Sequence, residues 1–111
     1  MVRQPAPRRG EVYLVALDPT QGSEIRKTRP ALVVSPDALN EFLRTMIVAP
    51  MTTGGYAAQW RVPCRFRRKS GFVAIDQVRT VDTTRLVKRL GALDEESTAT
   101  VLGVLREMFA D

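Results

Sequence analysis

Short apolar runs separated by turn residues dominate this chain and predict a sheet of many short strands. Strands rich in β-branched and aromatic residues are typically bounded by Gly, Pro, Asn or Asp, as these runs are. The clearest runs cover residues 10–17, 31–34, 45–51, 72–75 and 86–90, and weaker extended segments cover residues 59–67 and 77–81. Six or so short strands of this kind predict a strongly bent antiparallel sheet, consistent with a small barrel.

Two helices are predicted beside the strands, which makes the fold class α+β and mainly β. A short one begins near Ser35 as N-cap, has Pro36 at its first position and ends by about Leu43. A longer one follows Asp94, a good N-cap residue with acidic neighbours that suit a helix N-terminus. Its apolar residues recur at helical spacing and predict one stripe packed on the sheet: Val101, Leu102, Leu105, Met108 and Phe109.

The length and cysteine content favour one domain in a reducing compartment. The chain has 111 residues, a size that fits a single domain. We expect a flexible basic arm at residues 1–8 and a folded domain at residues 9–111. Cys64 is the single cysteine, so no intrachain disulfide can form, and no apolar run reaches the length of a membrane span. A cytoplasmic location is therefore expected, with no membrane contact.

The charge distribution and the absence of histidine limit the ligands and the catalytic or metal-binding groups that this chain can use. The net charge is +5, and residues 61–89 carry nine basic side chains against two acidic ones, whereas residues 94–111 carry five acids against one arginine. Such asymmetry indicates a face that binds a polyanion, although a solvated charged surface explains it equally well. Without histidine the common acid–base pairs and histidine metal sites cannot form, and the acids lack the spacing of a Mg²⁺ or Ca²⁺ site.

Two loops contain the side chains best placed for catalysis. Residues 22–30 end in Arg29–Pro30, where the proline biases Arg29 towards an extended conformation at the mouth of the next strand. Residues 50–55 place Thr52 and Thr53 at the end of an apolar strand. If the two strands are neighbours, Arg29 and Thr52 share one surface, although each signal alone is weak.

Three segments in order closely resemble the MazF/PemK family of toxin endoribonucleases: GEVYLVALDPTQGSEIRKTRPALVVS, MIVAPMTT and GFVAIDQVRTVDTTRL. The resemblance covers nearly the whole chain from about Arg9. It implies an SH3-like small barrel of the CcdB/PemK type with a C-terminal helix, a homodimer and an acidic, MazE-like antitoxin partner. It also implies sequence-specific cleavage of single-stranded RNA without metal or other cofactor, leaving a 2′,3′-cyclic phosphate and a 5′-hydroxyl.

The resemblance assigns catalysis to Arg29 and Thr52. Arg29 would neutralise charge on the phosphoryl oxygens, and Thr52 would donate a hydrogen bond to one of them. Glu24 is a candidate helper, and the group that takes the 2′ proton stays open. Expected RNA-binding residues are Ser23, Lys27, Thr53, Gln77 and Arg79.

Other roles and other functions stay open at this point. The basic cluster at residues 65–69 could hold phosphates, and Tyr56 or Trp60 could stack a base, although Trp60 suits core or interface packing equally well. The alternatives to a nuclease are a non-catalytic nucleic-acid-binding barrel and a toxin of the same fold that poisons DNA gyrase. A purely structural partner-binding module is the weakest alternative.

Overall fold

Seven strands and two helices make up the computed structural model, which describes residues 5–17 and 28–111. The strands are β1 (Glu11–Ala16), β2 (Thr28–Val33), β3 (Thr45–Thr52), β4 (Arg61–Phe66), β5 (Lys69–Ala74), β6 (Arg79–Asp82) and β7 (Leu86–Ala92). The helices are α1 (Asp37–Phe42), between β2 and β3, and α2 (Glu95–Met108), after β7. Two 3₁₀ turns, Ile75–Gln77 and Thr83–Arg85, flank β6.

All strand pairings between these elements are antiparallel, and β3 lies at their centre. The sheet has the order β4-β5-β3-β2-β1-β7, and β6 also pairs with β3. One side of β3 pairs with β2, whereas its other side pairs first with β6 and then, at its last two residues, with β5. The predicted antiparallel sheet with a C-terminal helix is confirmed. Among the described strands no pairing joins β4 or β6 to β7, so the sheet is not closed.

Alternate residues of the same strands supply two hydrophobic cores, because successive strand side chains point to opposite faces. The first core lies on the face that α2 covers and includes Val12, Leu32, Ala49, Val73 and Val101. The second lies on the opposite face and includes Val15, Ala31, Val33, Met46, Val48 and Val81. Burial on both faces fixes the strand register, since a slip of one residue would exchange the two sets.

Helix α1 begins one residue later than predicted. Pro36 occupies the N-cap position and makes no capping hydrogen bond through its side chain. Ser35 is buried instead: its hydroxyl donates to Asn40 Oδ1 (2.6 Å) and accepts from the backbone N–H of Ile47 (3.0 Å). The prediction of Ser35 as N-cap was therefore wrong, because its hydroxyl joins α1 to β3.

Helix α2 matches its prediction except at its end. The Asp94 carboxylate accepts a hydrogen bond from the backbone N–H of Ser97 (2.9 Å), which confirms the N-cap. Val101 is fully buried, and Leu102, Leu105 and Met108 pack against the first core. Phe109 instead is the C-cap residue and is 75% exposed, so its assignment to the apolar stripe was wrong. The helix ends before Phe109 can turn towards the sheet.

Two strand boundaries near the candidate residues also differ from prediction. Strand β2 begins at Thr28, so Arg29 is part of the strand, where it pairs with Val15, rather than the end of a loop. Gln77 lies in a 3₁₀ turn instead of an extended segment. At Arg29 the pairing with β1, rather than local sequence preference, decides where the strand begins.

The segment before β1 makes several contacts with α1 and β2. Pro7 is buried, and Arg8 forms an ion pair with Asp37 (2.8 Å). The backbone N–H of Arg9 donates to the same carboxylate (2.7 Å), and its side chain donates to the carbonyl of Val34 (2.8 Å). The predicted division into an arm and a domain stays a prediction. Over residues 5–17 and 28–111, no helix combines the length and apolar character needed to cross a membrane.

Candidate functional site

Strand pairing places Arg29 and Thr52 side by side. Strands β2 and β3 pair Ala31 with Pro50 and Val33 with Val48. The same register continued by two residues sets Arg29 opposite Thr52, with both side chains on one face of the sheet. Both residues are half-buried and both line one pocket. The predicted neighbourhood of the two strands is therefore confirmed by the register.

This pocket, called here the Arg29 pocket, has a volume of about 310 Å³. Its walls come from the ends of β2 and β3, from the hairpin of β4 and β5, and from β7. The lining residues are Arg29, Pro30, Met51, Thr52, Thr53, Cys64, Phe66, Arg67, Lys69, Ser70, Gly71 and Leu90. The charged members of this described set are all cations, so the pocket is electrically suited to an anion.

The Thr52 hydroxyl is held close to its own turn. It donates a hydrogen bond to the carbonyl oxygen of Gly54 (3.1 Å), two residues later. A hydroxyl has one hydrogen to donate and two lone pairs that accept. In this arrangement Thr52 can accept a hydrogen bond from a ligand, and it can donate one only after its hydroxyl turns away from Gly54.

A glycine in β5 brings the hairpin against Thr52. A Cβ built on Gly71 would lie 1.8 Å from the Thr52 carbonyl oxygen, far inside van der Waals contact. No other residue type fits there without displacing backbone. The position of Thr52 thus depends on a glycine that sequence analysis did not single out, and the signal that could have found it is a glycine inside a strand.

The turn between β4 and β5 adds cations to the pocket. Phe66 pairs with Lys69, so Arg67 and Arg68 form a two-residue connection, and both have positive φ, 52° and 67°. The Arg67 guanidinium donates to the backbone carbonyl of Leu90 and lies 5.7 Å from the centroid of the Phe66 ring. The tip of this hairpin therefore contacts β7, although the two do not pair as strands.

Cys64 contributes a thiol to the same pocket. It lies in β4 and is half-buried. Burial raises the pKa of the thiol, and the negative charge of Asp94 raises it further. A thiol with a raised pKa is less often ionised at neutral pH and is a weaker nucleophile. The strand position and the raised pKa together favour a packing role for Cys64 over a nucleophilic one.

Of the other predicted site residues that the structure describes, one lines the Arg29 pocket and two lie outside it. Thr53 lines the pocket, whereas Gln77 and Arg79 do not. Arg79 in β6 pairs with Val48, which lies in β3 four residues before Thr52. Ser23, Glu24 and Lys27 lie outside the described residues.

The two aromatic candidates also occupy different environments. Trp60 packs against the first core, in line with the packing alternative, whereas Tyr56 is 84% exposed. Within the described ranges, no group of three or more His, Cys, Asp or Glu side chains could hold a metal ion.

An ion pair beside the hairpin was not predicted. Arg61 in β4 bonds the Asp76 carboxylate through Nε (2.6 Å) and through a terminal nitrogen (3.0 Å). The Arg61 guanidinium holds the pKa of Asp76 below its ordinary value. The two residues are 15 positions apart, and only the pairing of β4 with β5 shows that they meet.

Comparison with known proteins gives consistent matches over most of the chain. A sequence model of the PemK-like, MazF-like toxins of type II toxin–antitoxin systems matches residues 8–109. Endoribonuclease PemK of Escherichia coli is 42% identical over 106 residues, which cover 87% of this chain and 77% of that protein. The crystal structure of MazF (Form I) from Deinococcus radiodurans is similar with a TM-score of 0.78 and 28% identity, covering 93% of this chain and 96% of that one. A chain in the MazE–MazF structure (Form III) from the same organism matches with a TM-score of 0.74 and 27% identity, covering 93% and 95%.

Proposed function

This chain belongs to the PemK-like, MazF-like toxins of type II toxin–antitoxin systems, and we propose that it is an endoribonuclease that cleaves single-stranded RNA at short specific sequences. The observation that carries the proposal is the position of Arg29 beside Thr52 in a pocket whose described charged residues are all cations. An RNA phosphate is the anion that such a pocket would take. We place the reaction in the cytoplasm, where messenger RNA is translated.

The reaction uses a nucleophile that the RNA itself carries. The 2′-hydroxyl attacks the adjacent phosphorus and loses its proton as the new bond forms. The bond from phosphorus to the 5′-oxygen breaks, and that oxygen gains a proton. The products are a 2′,3′-cyclic phosphate and a 5′-hydroxyl, so the chemistry calls for alignment and charge neutralisation rather than for a metal or another cofactor.

The predicted site residues have distinct roles in this scheme. The permanently charged, planar Arg29 guanidinium neutralises charge that develops on the non-bridging oxygens. Thr52 exchanges its hydrogen bond to Gly54 for one to the phosphate, which couples its donation to RNA binding. Glu24 is proposed as a helper in this step, and Ser23, Lys27 and Thr53 are proposed to bind the nucleotides around the scissile bond.

Gln77 and Arg79 are proposed to bind RNA farther along the strand. Arg79 pairs with Val48, whose side chain lies on the same face of β3 as Thr52. Four residues of strand span about 13 Å, which is enough for a flanking nucleotide to reach from one residue to the other. Unstacked bases expose their edges, which a glutamine amide such as that of Gln77 can recognise.

The protein partners proposed are an acidic antitoxin and a second copy of the chain. An acidic segment complements the cationic Arg29 pocket and would block RNA from it.

The candidate surface for the second copy is a groove of about 1130 Å³, called here the Phe42 groove. Three apolar side chains in it are largely exposed: Phe42 (83%), Leu43 (52%) and Val87 (55%). Large apolar side chains grouped in this way mark interaction surfaces.

Charges around the Phe42 groove favour a second copy as its occupant. Both signs occur there, since Arg44, Lys88 and Arg89 line it together with Glu41, so the surface can complement itself across a two-fold axis. Phe42→Glu combined with Val87→Glu should turn dimers into monomers in sedimentation velocity. A wild-type protein that sediments as a monomer at micromolar concentration would contradict the dimer.

The test of the proposed function is cleavage of a long single-stranded RNA in EDTA, followed by sequencing of the new ends. Wild type should cut at one recurring short sequence, and Arg29→Ala should abolish cutting while it retains a cooperative thermal transition. Arg106→Ala, which removes one exposed charge from α2, is the matched control and should cut like wild type. Cleavage by Arg29→Ala would refute the site. A folded wild type that binds RNA without cutting it would favour the non-catalytic alternative, and gyrase would be assayed next.

A further inference from the structure

The β4–β5 turn carries arginine where other residues are strongly preferred. Two-residue hairpins with positive φ at both central positions usually contain Asn-Gly or Asp-Gly, because a side chain on Cβ is strained there. Arg67 and Arg68 nevertheless occupy both positions, with φ of 52° and 67°. Strain of this kind persists where surrounding contacts impose it, and it is concentrated at functional sites.

Surrounding contacts hold Arg67 against the Arg29 pocket, which it lines. Its guanidinium donates to the carbonyl of Leu90 and lies against the Phe66 ring, while Phe66 in turn packs close to Gly91. A guanidinium carries five N–H donors, so the bond to Leu90 leaves others for oxygen atoms in the pocket. Arg68 shares the turn and the positive φ with Arg67, but it does not line the pocket.

We propose that Arg67 binds the RNA phosphate next to the scissile one. The inference rests on the proposed function, in which Arg29 and Thr52 hold the scissile phosphate at the wall formed by β2 and β3. Arg67 belongs to a different wall of a pocket at the small end of the range for ligand sites, so the nearest anion it can meet is the neighbouring phosphate. Arg67 thereby aligns the RNA across the pocket and acts in binding rather than in the chemical step.

Arg67→Ala and Arg68→Ala form a matched pair of variants. Each removes one positive charge and places alanine at a left-handed position of the same turn, and only one removes a lining residue. With a short single-site RNA, Arg67→Ala should raise KM roughly tenfold with kcat within about twofold, the loss expected for a charge-assisted hydrogen bond. Arg68→Ala should change neither constant by more than about twofold.

A neutral phosphate analogue separates phosphate binding from a purely structural role of Arg67. The substrate carries one methylphosphonate, placed in turn on each phosphate flanking the scissile bond. At one of the two positions wild type should lose affinity to about the extent that Arg67→Ala does, while Arg67→Ala should lose nothing further. Equal losses in both proteins would mean that Arg67 only anchors the hairpin to Leu90, and would overturn the proposal.

A third variant relieves the backbone strain of the β4–β5 turn and removes the positive charges of its two arginines. Replacing Arg67-Arg68 by Asn-Gly should raise the melting temperature and still raise KM, because the preferred turn residues relieve the backbone while the phosphate contact is gone. Wild-type KM in this variant would overturn the proposal. Wild type that fails to cut RNA refutes the proposed function itself, whereas active wild type with Arg67→Ala indistinguishable from Arg68→Ala refutes this inference alone.

Discussion

Gly71 shows how one missing side chain sets the position of a proposed catalytic residue. Its backbone packs so closely on the Thr52 carbonyl that a Cβ would lie 1.8 Å from the oxygen, and that oxygen belongs to the backbone, which cannot rotate away. Gly71→Ala should therefore cost about 1–3 kcal/mol of the free energy of unfolding, as overpacking does, and should lower kcat because Thr52 moves. Chemical denaturation and single-turnover cleavage measure the two effects.

Gly54→Ala is the control for this prediction. It lies two residues from Thr52, and a Cβ there would meet nothing within 4 Å. We expect it to leave both stability and kcat close to wild type. Equal behaviour of the two alanine variants would show that the contact between β5 and Thr52 does not constrain the site.

Cys64 offers a chemical probe of the pocket. Because burial and Asp94 raise its pKa, the pH midpoint of its alkylation by iodoacetamide should lie above that of the urea-unfolded chain. Since Cys64 lines the pocket, saturating RNA with a 2′-deoxy residue at the cleavage position should slow the reaction. Mass spectrometry follows the single thiol. A midpoint equal to that of the unfolded chain would contradict the pKa shift.

At the scale of the element, α2 depends on its N-cap at low pH. The hydrogen bond from the Ser97 N–H lowers the pKa of the Asp94 carboxylate. A group whose pKa is lower in the folded state stabilises the protein above its unfolded pKa, and that contribution is lost as pH falls through the folded value. Asp94→Ala should therefore lower the melting temperature at pH 7, with a smaller difference from wild type near pH 3. Asp111→Ala, beyond the helix, is the control, and a pH-independent difference would contradict this explanation.

The elements themselves were largely predictable from the chain, and their ends were not. The apolar periods identified each strand and α2, because burial on two faces of the sheet leaves a strong pattern. Phe109 continued the helical pattern but lies beyond the last turn and is exposed. Ser35 is a residue type that commonly caps helices, but its hydroxyl donates to the buried Asn40 side chain instead. Such outcomes depend on contacts between elements, which a local pattern does not contain.

The candidate site was predictable only in part, for the same reason. The loop positions of Arg29 and Thr52 made them candidates, and a family resemblance gave them catalytic roles. The register of β2 with β3 explains why the two positions meet. Gly71, Arg67 and the Arg61–Asp76 pair depend on the fold of the hairpin instead. The role of Arg67 could not be predicted from the sequence, because its turn lacks the Asn-Gly pair that usually indicates a two-residue hairpin.

At the scale of the whole molecule, the strand order explains how two distant parts of the chain form one cationic surface. β3 ends where β5 begins to pair with it, so the hairpin that carries Arg67 and Lys69 folds back over the end of β2 that carries Arg29. The fold thus brings together cations that lie far apart in the sequence.

This cationic surface predicts a strong salt dependence of RNA binding. Among the residues that the structure describes, three cations line the Arg29 pocket: Arg29, Arg67 and Lys69. Each contact of a cation with a phosphate of a single strand contributes about 0.7 to the slope of log Kd against log salt concentration. These three contacts alone give a slope of about 2, and cations outside the pocket add to it. Fluorescence anisotropy with a 2′-deoxy-blocked RNA measures it. Arg29→Ala should lower the slope by about 0.7, whereas Arg106→Ala on α2 should leave it unchanged. A slope near zero, or equal losses in the two variants, would mean that RNA does not enter the pocket by its phosphates.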